Sequence, residues 1–412
     1  MDRDELIHDW NLEDRAAAPW ARSVELDDET LRDGLQSPSA TDPSIEAKIR
    51  LLHLMDGLGI HTADVGLPGA GPRAVTDVTR LCEEIVSADL KIAANVAART
   101  VLADVIPCVE IAQRVGLPIE VCTFIGSSPI RRFAEGWTLD RMLSTAEESV
   151  RFVVDEGLPV MFVTEDTTRA DPETLKALYG NAISWGVRRI CLADTVGHAT
   201  PEGVRTLIRF VKEEITGPSG EDVKVDWHGH RDRGLGLANA LAAIEAGVDR
   251  VHATALGVGE RVGNVEMDLL LVNLAMAGVH DADLTLLPEY CEIVERECGV
   301  PLPCTYPVFG EDAFRTGTGV HAAAIIKAEA KGADWLADRI YSGVPASLVG
   351  KRQEIEISPM SGLSNVKYWL RSRGFDPDND DLCERIFEAA KTCDHTLTEP
   401  EVMAIIRSVH GD

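Results

Sequence analysis

Nowhere in this chain do two cysteines stand two residues apart; the nine lie singly at 82, 108, 122, 191, 291, 298, 304, 383 and 393. An odd count without such a pair argues against a complete disulfide framework and leaves small core residues or inert thiols in a reducing compartment. Long apolar runs are missing too. The most apolar stretch, residues 269–279 (LLLVNLAMAGV), falls short of the roughly 18 residues that suggest a membrane span. The first twenty residues, MDRDELIHDWNLEDRAAAPW, mix acids and bases without the apolar core of a secretory signal, so a cytoplasmic location is expected. Positive charge is scarce: 40 Lys and Arg stand against 68 Asp and Glu, a formal net charge of −28. Such a surface repels nucleic-acid phosphates and anionic lipids, so neither nucleic acid nor membrane is expected as a partner. An anionic substrate would need a local positive site.

What the sequence does have is length and rhythm. At 412 residues, with 45% hydrophobic and 26% charged composition, it can build one large catalytic domain with an appendage. From about residue 23 a β-rich run, a turn and a helix-length amphipathic segment recur eight times. Strand starts fall near Val24, Thr62, Lys91, Ile119, Val160, Arg189, Val223 and Arg250. The helical patterns cover 45–58, 72–87, 101–115, 138–155, 172–184, 201–215, 235–246 and 265–277, and Pro43-Ser44, Asp171-Pro172 and Thr200-Pro201 mark three of their starts. Eight such units predict an α/β fold, a (β/α)8 TIM barrel over 23–284. The alternative, an open doubly wound sheet, usually carries a glycine-rich turn after its first strand, and residues 29–34 read ETLRDG instead. An N-terminal extension (1–22) precedes the barrel, and a mostly helical C-terminal appendage (285–412) follows it.

In such a barrel the chemistry belongs at the C-terminal ends of the strands and in the loops after them. Residues 225–234 read VDWHGHRDRG at the end of the seventh strand. Alternate strand residues share a face, so His228 and His230 can aim both rings at one metal; two unrelated histidines are the plain alternative. After the first strand comes DETLRDGLQ (28–36). There Asp33 offers a hard oxygen ligand and Arg32 a permanent fork for an oxyanion, unless the two form a solvated pair. After the eighth strand GVGERVGN (257–264) combines glycines that let backbone approach closely with Asn264, a neutral oxygen donor. Glu260-Arg261 in that loop also reads as a local ion pair.

LRDGLQ (31–36), EDTTR (165–169), DTVG (194–197), HGHRDRGLGLANALAAIEAG (228–247) and GVGERVGN, in this order, resemble the metallolyase barrels that include 2-isopropylmalate synthase, homocitrate synthase and hydroxymethylglutaryl-CoA lyase. FRTGTGVHAAAIIK (314–327) and YSGVPASLVG (341–350) look like the synthase branch. The resemblance implies Asp33, His228 and His230 as ligands of Mg2+, Mn2+ or Zn2+, with Asn264 fourth or nearby. It also implies Thr195, Gln36, Asp64 and Glu260 as substrate-binding residues, and Arg32, His321, Tyr341 and Glu165 as catalytic ones. The reaction implied joins acetyl-CoA to a 2-oxo acid, by default 2-oxoisovalerate, in a homodimer. Homocitrate-, citramalate- or citrate-type synthesis, a hydroxymethylglutaryl-CoA-type lyase and a non-catalytic oxo-acid binder are the alternatives. Bland roles stay open: packing for His321 and Tyr341, turn capping for Thr195, an exposed acidic pair for Glu165-Asp166. Four departures stand out: Asp64 where the synthases usually carry Glu, the strand-four sequence CTFIGSSPIRR (122–132), Arg315 for a frequent histidine, and Gly229 for a frequent cysteine. No room is expected after residue 412 for the leucine-sensing domain of many 2-isopropylmalate synthases.

Overall fold

Eight parallel strands close into a barrel in chain order, each bonded to the next and the eighth to the first. They are β1 (Glu25–Asp28), β2 (Thr62–Asp64), β3 (Ala93–Arg99), β4 (Glu120–Gly126), β5 (Val160–Glu165), β6 (Arg189–Asp194), β7 (Lys224–Gly229) and β8 (Arg250–Ala253). The computed structural model describes residues 6–12 and 23–410. Most of the expected extension 1–22 therefore lies outside the described residues. Closure is carried by β1, whose Asp28 pairs with Ala63 of β2 on one side and Ala253 of β8 on the other.

Helices follow the strands as the periodicity predicts, including Ile45–Gly57, Pro72–Ser87, Leu102–Val115, Leu139–Asp155, Pro172–Ser184 and Gly236–Ala246. Three starts are capped as read. Ser44, Asp171 and Thr200 accept from the backbone N–H of Ala47, Thr174 and Gly203, each satisfying a donor that the first helical turn leaves open. Two features differ from expectation. The helix expected over 201–215 is α-helical only to Val211 and continues as a π turn, Lys212–Thr216. A short helix, Pro129–Glu135, intervenes after β4, opened by the Ser128 side chain and Pro129; two turns are too few to show a periodic apolar face.

Outward strand residues such as Val96, Ile190, Val225 and Val251, and helix residues such as Leu51, Val105, Val150 and Leu178, are at most 1% exposed. They form the shell between barrel and helices, each large side chain contributing roughly 1.5–3 kcal/mol through burial. The barrel floor is polar by contrast. Buried Arg250 donates to Asp226 (2.7 Å) and Glu120 (2.6 Å), and Arg189 donates to Asp226 (2.7 Å). Asp27 receives Asn95 (2.8 and 2.9 Å) and Thr62 (2.6 Å). Burial works against the charge of Asp226, but Arg250, His252 and Arg189 hold its carboxyl well below the usual range.

The chain divides into two compact units. The first holds the described residues up to Asp283 with Glu289–Pro301, and the second holds Leu284–Pro288 with the described residues from Leu302 onward. In the second, a short ladder of β9 (Arg315–Thr316) and β10 (Glu354–Ile355) accompanies helices Gly319–Ala330, Leu363–Ser372, Asp380–Thr392 and Glu399–His410. Val366, Trp369, Leu370, Leu382, Ile386 and Val402 form its main apolar core. Among the described residues no helix is long and apolar enough to cross a membrane.

Candidate active site

His228 lies on β7 and His230 one residue beyond its end, so the two side chains share the inner face and their rings sit 5.2 Å apart. Asp33, just before the short Gly34–Gln36 helical turn, reaches them from the loop after β1. Its Oδ2 is 3.3 Å from His228 Nε2 and 3.6 Å from His230 Nε2. One donor atom from each of the three lies within 4.8 Å of the others, and all three residues are buried. Burial and the neighbouring His228 push His230 down to about 4, against the pull of Asp33, so its ring stays neutral and keeps a lone pair.

Behind this group stands Glu29, which sequence reasoning missed. Its carboxylate accepts from His228 Nδ1 (2.8 Å), His252 Nδ1 (3.0 Å) and Arg32 Nη2 (2.8 Å). Burial opposes its charge, but Arg32, His228 and His252 hold Glu29 well below the carboxylate range. An ionised carboxylate can only accept, so Nδ1 of His228 carries a proton, and Nε2 is the nitrogen turned toward Asp33. His252, also missed, bonds Asp226 through Nε2 at 3.1 Å. Burial works against its charge, yet Asp27, Glu29 and Asp226 raise it to about 10. Both ring nitrogens of His252 are thus already committed to carboxylates, so the cluster of Glu29, His228 and His252 serves as an ion-paired prop behind the candidate metal group of Asp33, His228 and His230. Period-two spacing along β1 (Asp27, Glu29) and β8 (Arg250, His252) was the signal available for both.

Arg32 is fixed between three carboxylates, with Nε 2.7 Å from Asp64, Nη2 2.8 Å from Glu29 and Nη1 3.5 Å from Asp33. Asp64 is buried and spends its second oxygen on the backbone N–H of Gly66 (3.2 Å). Burial raises its carboxyl to about 7, against Arg32. Asn264 faces His230 across an isolated bridge, its amide nitrogen bonding Val258 O at 3.2 Å, while its buried Oδ1 has no partner. The glycines of this loop serve the loop itself: a Cβ on Gly259 would stand 2.2 Å from Asn264 Nδ2. Arg261 pairs with Asp232 (2.8 Å) and the Thr195 carbonyl (2.6 Å), so the local pair expected of Glu260 and Arg261 is replaced by a bridge between loops.

Glu29, Arg32, Asp33, His228, His230 and Arg261 open onto a cavity of ≈ 380 Å³, also lined by Gln36, Glu165, Thr195 and Glu260, whereas Asp64 and Asn264 lie behind its wall. Thr195 Oγ accepts from Asp166 N at 2.8 Å, which leaves its O–H to donate. Glu165 is half-buried; burial raises its carboxyl, against Arg131, whose Nε lies 3.4 Å away. Asp166 is buried and paired with Arg169 (2.8 Å), so only one member of that acidic pair faces the cavity. Arg131 and Arg132 are engaged by Glu135 (2.8 Å) and Thr174 (2.9 Å). His321 and Tyr341 belong to the second unit, where their rings stack with centroids 4.0 Å apart.

The donor set fits a divalent cation: one carboxylate, two imidazole nitrogens turned to the same point, and a buried amide oxygen with no hydrogen-bond partner. Fold and site thus define a (β/α)8 barrel enzyme with a carboxylate–histidine group and a clamped arginine at the mouth. Comparison with known proteins agrees. The HMGL-like family model matches residues 23–294, and the chain belongs to that family. It is 32% identical to a provisionally named (R)-citramalate synthase of Methanopyrus kandleri, over 94% of this chain and 73% of that one. It is 28% identical to the homocitrate synthase of Methanothermobacter thermautotrophicus over 94% of both chains. A provisionally named 2-isopropylmalate synthase of Methanopyrus kandleri is 30% identical over 88% of this chain and 68% of its own. The chain is an enzyme of the acyltransferase type that these synthases represent. Among solved structures, HMG-CoA lyase from Bacillus subtilis superposes with a TM-score of 0.57 at 19% identity, over 68% of this chain and 96% of that one; at that identity the likeness speaks for the fold alone.

Proposed function

We propose that this protein condenses acetyl-CoA with a 2-oxo acid, 2-oxoisovalerate being the default acceptor, to give a 2-substituted malate and free CoA. The observation that carries the reading is the meeting of Asp33, His228 and His230 beside Arg32 in one cavity. Asp33, His228 and His230, with Asn264 beside them, would hold a divalent cation, which would supply Lewis-acid polarisation of the keto acid. The Thr195 hydroxyl donates to the acceptor's carboxylate. Arg32, kept in place by Asp64 and Glu29, turns its guanidinium toward the keto oxygen, where negative charge develops during attack. A base removes a methyl proton from the acetyl thioester, the methyl carbon bonds to the keto carbon, and the keto oxygen takes up a proton. Water then cleaves the thioester and releases the thiol. Glu165, His321 and Tyr341 form the proposed proton-handling set, and Gln36 and Glu260 the proposed substrate contacts; Asp64, expected as a contact, is buried outside the cavity with both oxygens engaged and acts through Arg32.

The division of the chain into an extension (1–22), a catalytic barrel (23–284) and an appendage that contributes to catalysis (285–412) is part of this proposal, as are a homodimer and a cytoplasmic setting. Incubating the metal-loaded protein with acetyl-CoA and a panel of 2-oxo acids, and following thiol release, tests the reaction. Acceptor-dependent release is expected. Cleavage of an acyl-CoA with no oxo-acid requirement would point to a lyase, and no release with any acid would point to a binding protein. Sizing by light scattering tests the dimer, which an active monomer would overturn.

A further inference from the structure

The cavity has two unlike halves. On the side of β7, β8, β1 and β2 it presents Asp33, Glu29, Arg32, His228 and His230; on the side of β3 to β6 it presents Ala97, Phe124, Val163 and Ala193. Beneath those four lies a layer of Cys122, Met161 and Cys191, packed together and almost wholly buried. Glu165 and Thr195 stand where β5 and β6 end. The charged half anchors an oxo-acid head group, so whatever the acceptor carries beyond its keto carbon meets the other half.

No cation waits there. Among the described residues lining the cavity, the arginines are Arg32 and Arg261. Arg32 already faces three carboxylates, and Arg261 is held by Asp232 and the Thr195 carbonyl. His252 bonds carboxylates through both ring nitrogens. The next cations, Arg99, Arg131 and Arg141, line a separate cavity on the far side of Phe124 and Glu165, where Arg99 is paired with Asp104 and Arg131 with Glu135 and Glu165. A second carboxylate on the acceptor would be stripped of water against methyl, phenyl and sulfur atoms, or would meet the carboxylate of Glu165.

We propose that the acceptor is a monocarboxylic 2-oxo acid with a short apolar side chain, and that Phe124, Val163 and Ala97 set the length it can have. This rests on the condensation reading and narrows it, since dicarboxylic acids such as oxaloacetate and 2-oxoglutarate satisfy the anchor equally well. Because discrimination is by an apolar wall, neighbouring chain lengths differ modestly while diacids are rejected strongly.

The test is steady-state CoA release by the full-length, metal-loaded protein with 2-oxobutyrate, 2-oxoisovalerate, 4-methyl-2-oxopentanoate, oxaloacetate and 2-oxoglutarate. The best monocarboxylic acid should exceed both diacids in kcat/KM by at least about a hundredfold. Phe124 is only half-buried, so Phe124→Ala should fold, and it should move preference toward 4-methyl-2-oxopentanoate over 2-oxobutyrate by about tenfold. Turnover led by a diacid would overturn this inference and leave the condensation reading standing, and loss of that diacid activity in Arg131→Met would then identify Arg131 as its reader. Release with none of the acids would overturn the condensation reading, and this inference with it.

Discussion

Replacing Glu29 by glutamine keeps the shape of the side chain and removes the carboxylate that supports the proposed metal group. Three N–H donors converge on this carboxylate, from His228, His252 and Arg32. A glutamine has one accepting oxygen and an NH2 that donates, so at least one of the three contacts becomes donor against donor. If His228 is the loser, its ring can bond the amide only by moving its proton from Nδ1 to Nε2, the atom facing Asp33 at 3.3 Å. The lone pair then points away from the metal. Loss of such an orienting partner costs about 10- to 100-fold in metal affinity. Arg32 and His252 retain Asp64 and Asp226, so the stability loss falls at the lower end of that for a broken buried pair, about 3 kcal/mol. Calorimetric titration of the stripped protein with Mn2+ and Zn2+, with thermal unfolding alongside, reads both effects. His252→Gln is the control: it disturbs the charge beyond Glu29 but leaves the His228 bond, so it should lose stability while binding metal within a few-fold of the parent. Wild-type affinity in Glu29→Gln, or equal loss in both variants, would refute the reasoning.

Three further outcomes follow from the same geometry. Asp33→Ala and His228→Ala should each lower bound metal to near background and abolish thiol release; metal analysis showing full occupancy in either would remove the ligand assignment. Thr195→Val should raise KM for the oxo acid by roughly tenfold with a smaller change in kcat, the mark of one lost hydrogen bond to a charged group; an unchanged KM would return Thr195 to a turn-capping role. Asp28 is buried against Tyr290, and burial raises its carboxyl to about 6 from 3.8, against bonds from Thr30 and Tyr290. The folded chain therefore holds this proton more tightly than the unfolded one. The associated stability is intact below pH 3.8 and is lost as pH rises through 6, a penalty of about 3 kcal/mol at pH 8. Asp28→Asn should gain stability against the parent at pH 8 and not at pH 4, and a difference that does not vary with pH would count against it.

The barrel was legible because each unit states itself twice, once in a β-rich run and once in a helix-length segment, three of which open on a visible cap. The His228 and His230 pair was legible because alternation on one strand is local information. Glu29 and His252 were not: they are 223 residues apart, and neither motif around them says that they meet. The charge of Glu29 was visible in the motif after β1, but its neighbours were not, because the barrel supplies them from β7 and β8. The helix Pro129–Glu135 escaped for the opposite reason, being too short for a periodic signal although its Ser-Pro start was in view. The two-faced cavity is legible only in retrospect, by reading every second residue of β3 to β6 together.

The polar floor bears on how the barrel can be assembled. Arg250 of β8 reaches Asp226 on β7, Thr62 on β2 and Glu120 on β4, partners contributed from both sequence halves of the barrel. A fragment of four strands would therefore expose or bury ions whose counterparts are on the missing half, at a cost that apolar barrel interiors do not impose. The two halves are therefore electrically committed to each other through Arg250. These bonds join residues as far as 188 positions apart, so the floor's charges find their partners only when β8 is in place beside β1.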